Sequence, residues 1–227
     1  MPRETFEREL RRLQDEMLVM ADMVEKAVIE SVEVLKRRDR EGSRRLIAQD
    51  RVINKKRFDI EADCLVAIAT QQPMASDLRV LAAILGITTE LERIGDYAKG
   101  IARISLMIGE GPLPKPLIDV PLMAEKARAM LHQSLDAFIR RDVALARAIP
   151  AGDDEVDDLY NRVYRALIAD IIADQTMAER ANYMLWVAHN LERAADRVTN
   201  ICERVVFTVT GELVELDSDT SGVESVA

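Results

Sequence analysis

Three observations predict an all-α fold built as two tandem, pseudo-symmetric three-helix bundles. A stripe from Phe6 recurs at alternating spacings of four and three through Leu10, Leu13, Met17, Met20, Val24, Ala27, Ser31 and Val34, apolar but for Ser31, the signature of a long helix packed in a coiled-coil-like bundle. The hexapeptide Leu91–Asp96 (LERIGD) returns 100 residues later as Leu191–Asp196 (LERAAD), so the chain is internally duplicated. One stretch rich in proline and glycine, GEGPLPKP from Gly109 to Pro116, separates the copies.

The elements follow in order. The first helix ends near Asp39, where Glu41-Gly42-Ser43 breaks the pattern. A second runs from about Ser43 to Thr70 and stops before Pro73, because a proline disfavours helix in the residue preceding it. Ser76 or Asp77 is placed to cap a third helix that reaches about Ile108. After the linker, Ser134–Asp142 closes a fourth helix as Ser31–Asp39 closed the first, displaced by 103 residues. Pro150-Ala151-Gly152 interrupts the start of the fifth helix, with Asp153 or Asp154 as cap of its main part. Thr176 with Glu179 reads as a capping box for the sixth, and Gly211 as the residue that terminates it. The predicted units are therefore a first bundle over 4–109, a linker over 110–120, a second bundle over 121–211 and an acidic, unstructured tail over 212–227.

A core of this kind suits a composition with 48% hydrophobic residues, only 4% aromatics and ten methionines. The net charge is −9, and five acids with no lysine or arginine fall after Gly211. The folded part is then mildly acidic without a basic face, which argues against nucleic-acid binding. Cys64 and Cys202 are isolated and read as small buried apolar residues. No signal-peptide core and no 18-residue uncharged run is visible, so a soluble, cytoplasmic protein is expected.

The chemistry lies in the carboxylates. On a helix Glu92 and Asp96 share a face, and it is not the face of Leu91, Ile94, Ala98 and Ile101. Folding helices two and three about Pro73 brings Asp50 level with Asp96 and Asn54 level with Glu92. Folding the second half about Gln175 brings Asp154 level with Asp196 and Asp158 level with Glu192. Clustered acids call for a compensating cation, and all-oxygen donors suit a hard one: iron, Mn²⁺, Mg²⁺ or Ca²⁺. The expected ligands are Asp50, Asn54, Glu92 and Asp96 in the first half, and Asp154, Asp158, Glu192 and Asp196 in the second. Asn54 makes the first site the weaker. The plainer reading is a solvated acidic face paired with bases such as Lys99 and Arg197. His132 and His189 stand apart from any Glu-x-x-His pair, and nucleophile, phosphate-loop and catalytic-dyad patterns are missing.

The residues Gln72–Arg79 (QPMASDLR), both LER-x-x-D segments and Phe207–Gly211 (FTVTG) resemble the PhoU family over nearly the whole chain from Phe6 to Gly211. The resemblance implies tandem three-helix bundles, with metal clusters in some members at E(D)-x-x-x-D pairs. These map to Glu92 with Asp96, Glu192 with Asp196 and Asp154 with Asp158. It further implies a homodimeric, non-enzymatic negative regulator of phosphate uptake and the phosphate-starvation response. Its partners would be the cytoplasmic components of a phosphate ABC transporter and a sensor histidine kinase, with membrane association only through them. A carboxylate metalloprotein, either a metal store or a bundle-type metalloenzyme, is the alternative.

Overall fold

The structure, a computed structural model, describes residues 2–109 and 119–216. Within these the chain is helical: α1 (Pro2–Arg37), α2 (Arg40–Gln71), α3 (Ala75–Met107), α4 (Asp119–Arg140), α5 (Val143–Ala148), α6 (Ala151–Ala173) and α7 (Ala178–Thr210), with a 3₁₀ turn at Gln175–Met177 before α7. Six long helices form the two bundles, and α5 is the first turn of the fifth helix, detached at the Pro150 interruption. The linker expected over 110–120 lies almost entirely outside the described residues, as does the tail from 217 onward. Its first part is described and is not free: Val214 and Leu216 pack on the core, and the Leu216 N–H donates to Glu203 Oε1 at 3.1 Å.

The stripe from Phe6 is buried as its period requires, with Leu13, Met17, Met20 and Val24 fully enclosed. Each large aliphatic side chain so enclosed contributes about 1.5–3 kcal/mol. One apolar core runs through both halves from Phe6 to Val206, because α3 packs on α7 and α1 on α4 across the pseudo-symmetric junction. Both cysteines are buried in it, and burial pushes each thiol up to about 12.

Helix starts differ from the sequence reading at four places. Asp39 caps α2, its Oδ1 accepting from Gly42 N at 2.8 Å, so that helix begins three residues earlier than Ser43. Neither Ser76 nor Asp77 caps α3, which starts after Met74 without a side-chain cap. Pro150, not Asp153 or Asp154, stands at the cap position of α6. Ahead of α7 it is Asp174, rather than a Thr176–Glu179 box, that accepts from Thr176 N (2.9 Å) and Oγ1 (2.7 Å). Gly211 terminates α7 at φ 82, in the left-handed region that suits glycine.

The duplication extends to backbone detail. Asp142, the counterpart of Asp39, caps α5 through Leu145 N at 2.9 Å, and each cap follows an arginine in left-handed conformation, Arg38 (φ 53) and Arg141 (φ 56). The packing beside them is exchanged between the halves: Val34 and Gly42 in the first correspond to Ala137 and Leu145 in the second. A Cβ at Gly42 would stand 2.5 Å from Asp39 Oδ2 and 2.8 Å from Val34 Cγ1. Gly42→Ala is therefore expected to destabilise the protein by about 1–3 kcal/mol. Val34→Ala introduced with it should recover part of the loss, the approach to Asp39 remaining, measured by urea unfolding. Additive losses would show that the Val34–Gly42 contact is not the cause.

Candidate functional site

Two grooves lie on the outer side of the α2–α3 and α6–α7 pairs. In the first, α2 presents Asp50 and Asn54 one turn apart, and α3 presents Glu92, Asp96 and Lys99. Asp50 and Asp96, expected to be level across the hairpin, both meet Lys99 Nζ, at 2.7 Å from Asp50 Oδ2 and 3.0 Å from Asp96 Oδ1, which ties the two helices together. Asp50 is 4% exposed, deeper than a groove-lining acid was expected to be. Asn54 donates to Asp50 Oδ2 at 3.3 Å, while Asp50 Oδ1 and Asn54 Oδ1 have no hydrogen-bond partner. Glu92 faces Arg57 at 3.9 Å, and burial first and then Asp96 raise its carboxyl above the usual range.

The second groove is one residue out of register with the sequence expectation. Asp154, Asp157 and Asp158 are all exposed, while Asp153 is half-buried and feels Asp196, Asp157 and Glu192. The reason is helical phase: Val156, Leu159 and Val163 face the core, so Asp153 sits beside α7 and its neighbour Asp154 is turned by about 100° away. The acids of this groove are Asp153, Asp157, Glu192 and Asp196. The 103-residue offset between Ser31–Asp39 and Ser134–Asp142, applied to Asp50 and Asn54, gives Asp153 and Asp157 and was the signal available in the sequence. Burial, followed by these acids, pushes the Asp153 carboxyl up to about 7 and also raises Glu192. Asp153 Oδ1 lacks a hydrogen-bond partner, as does Glu192 Oε2, which lies 3.0 Å from His189 Nδ1 without the alignment of a hydrogen bond.

The bases divide unequally. Lys99 pairs as expected, but Arg197 turns to the junction between the halves, where Glu90 meets it at 3.7 Å beside Asn200 and Arg93. The position equivalent to Lys99 is Thr199. His132 contacts Glu25 at 3.2 Å, away from both grooves.

These geometries bear differently on a hard cation. The first groove does not fit one as it stands, because the Lys99 ammonium already neutralises Asp50 and Asp96. The second has no lysine, although His189 lies 3.0 Å from Glu192 and Arg193 3.6 Å from Asp196, and its all-carboxylate oxygens are the donor type that such an ion takes. Among the described residues, however, no three Asp, Glu, His or Cys side chains converge closely enough to hold a metal, so carboxylate rotamers would have to close around it.

Among the described residues the chain is a duplicated helical bundle with one carboxylate-bearing groove on each repeat. The PhoU domain family matches residues 17–105 and 120–205, one match per bundle. The chain belongs to the PhoU family. It is 33% identical to the phosphate-specific transport system accessory protein PhoU homolog of Clostridium acetobutylicum, over 96% of this chain and 100% of that one. To the homolog of Aquifex aeolicus it is also 33% identical, over 92% of this chain and 94% of the other. The crystal structure of the phosphate transport system regulatory protein PhoU from Streptococcus pneumoniae superposes with a TM-score of 0.85 at 31% identity, covering 92% of this chain and 99% of that one. PhoU from Pseudomonas aeruginosa superposes equally, at 0.85 and 32% identity, covering 91% of this chain and all of the other.

Proposed function

We infer that this protein is a negative regulator of phosphate uptake and of the phosphate-starvation response, acting by binding between the cytoplasmic components of a phosphate ABC transporter and a sensor histidine kinase. The observation that carries this reading is family membership over both repeats, with relatives described as phosphate transport accessory proteins matched over nearly their whole length. Regulation by contact is in keeping with the residues themselves. The faces offered are long helices, and none of the described helices is long and apolar enough to cross a membrane. Such a protein works in the cytoplasm, as a homodimer, and meets the membrane through its partners. A hard cation belongs to this reading in the second groove, where Asp153, Asp157, Glu192 and Asp196 would hold it. Its contribution there is to neutralise crowded carboxylates and fix the α6–α7 pair.

Deleting the gene is expected to switch on phosphate-starvation genes in phosphate-rich medium, read by alkaline phosphatase or a reporter. Tagged protein from the complemented strain should retain transporter and kinase subunits. Normal repression in the deletion strain, with neither partner captured, would overturn the reading.

A further inference from the structure

The duplication shows how far the two grooves have diverged in charge. With the offsets of 103 for α2 and α6 and 100 for α3 and α7, Arg51 corresponds to Asp154, Asn54 to Asp157, Lys99 to Thr199 and Arg103 to Glu203. Arg44 keeps a basic counterpart in Arg147, and Asp50 keeps an acid in Asp153. Thus the same helix faces carry cations in the first half where the second half carries acids or a neutral residue. This basic face, in a chain of net charge −9, is the opposite of what composition suggested.

The cations share a cavity of about 460 Å³ lined by Arg44, Asp50, Arg51, Asn54, Lys99 and Arg103. Among the described residues Arg51 and Arg103 have no hydrogen-bond or ion-pair partner, although acids outnumber bases in this chain by 40 to 31. Arg44 comes only to 3.8 Å of the exposed Glu41. A solvated basic face is the ordinary explanation of surface arginines. It does not account for Asp50, which lines the cavity and is more than nine-tenths buried, with Oδ2 held by Lys99 and Asn54 and Oδ1 lacking any hydrogen-bond partner.

We propose that the first groove binds a phosphate oxyanion, held by Arg51 from α2 and Arg103 from α3, with Arg44 and Lys99 adding to the field and Asp50 accepting the phosphate hydroxyl. Guanidinium groups present paired N–H donors matched to two oxygens of a tetrahedral oxyanion. A carboxylate acceptor beside them would repel a fully ionised anion, but phosphate near neutral pH still carries a P–OH that can donate to it. Sulfate has no such proton, so Asp50 converts a site of general anion affinity into one that selects phosphate. Free inorganic phosphate is the ligand, since the cavity presents its charged side chains from two neighbouring helices. The two grooves of the duplicated protein are then specialised in opposite senses, the first for an anion and the second for a cation.

Calorimetric titration of the full-length protein with inorganic phosphate, and separately with sulfate at equal ionic strength, tests this. Phosphate should bind at least about tenfold more tightly than sulfate. Arg51→Asp with Arg103→Glu, which writes the second half's acids into the first, should weaken phosphate by about tenfold or more. Arg165→Glu, on the exposed face of α6, should leave it unchanged. Asp50→Asn should remove the preference over sulfate, its folding checked by circular dichroism. The proposal fails if millimolar phosphate does not bind, if sulfate binds equally to the wild type, or if the Arg51/Arg103 variant keeps full affinity. It also fails if only phosphatidylglycerol vesicles bind. Failure would leave the regulatory reading standing, because that rests on the deletion strain.

Discussion

Replacing Lys99 by methionine is expected to destabilise the protein by about 3 kcal/mol at neutral pH, the usual consequence of leaving a buried acid without its partner. Asp50 has a side chain only 5% exposed, and among the described residues the Lys99 ammonium 2.7 Å away is its one cationic contact, shared with Asp96. Methionine keeps the aliphatic stem and removes the charge, so the loss reports the ion pair rather than packing. The hydrogen bond to Asp50 is the largest influence on Lys99, and it raises the ammonium pKa above its ordinary value. A raised folded-state pKa means the contribution is fully present below about pH 10, the unfolded value, and is lost as pH rises through the folded one. Wild type and Lys99→Met should therefore converge in strongly alkaline solution. Adding Asp50→Asn to Lys99→Met should recover most of the stability, because a neutral pair carries no uncompensated charge. Urea unfolding measures all three. A single-variant loss under about 0.5 kcal/mol would mean that water already screens Asp50.

Asp153→Asn should act in the opposite direction. Burial, Asp196, Asp157 and Glu192 hold the Asp153 carboxyl near 7, well above a free aspartate. The folded state then keeps a proton that the unfolded chain releases at about pH 4. Stability of the metal-free protein consequently falls as pH rises from about 4 to about 7 and is flat above. Removing the ionisable group should stabilise the protein by about 2 kcal/mol at pH 8, discounted from the full shift for partial exposure, and by little at pH 4. Thermal melts across that range in chelator decide it: parallel curves for the two proteins would show that Asp153 titrates normally. Mn²⁺ gives a second reading, since it should raise the wild-type melting temperature more than that of Asp153→Asn if the groove takes a hard cation.

Much of the site was legible in the chain because helical period and hairpin heights are set by residue count. Asp50 and Asp96 were placed level that way, and Lys99 reaches both. The same counting missed Asp153 and Asp157 because heights matched about an assumed turn centre do not fix helical phase. An error of one residue is negligible in height but about 100° in direction, enough to exchange a groove-lining aspartate for a solvated one. Side-chain ends were less legible still. Lys99 and Arg197 looked equivalent as partners for the acids, yet one turned into its groove and the other toward Glu90. Long flexible stems let a charge settle several ångströms from its Cα.

The sequence alone determined the six long helices, the duplication, the buried stripe and the glycine stop at Gly211, because these depend on local period and backbone preference. It also contained the exchange of Arg51, Lys99 and Arg103 for Asp154, Thr199 and Glu203. Only the tertiary structure gave that exchange a meaning. Arg51 and Arg103 lie more than fifty residues apart on different helices, and their charges act on one space only because the apolar faces of α2 and α3 bury against α1 and hold the opposite faces together. The fate of Asp50 was decided in the same way. Its burial comes from the neighbouring helices closing over it, which turns one acid among forty into one that needs a partner.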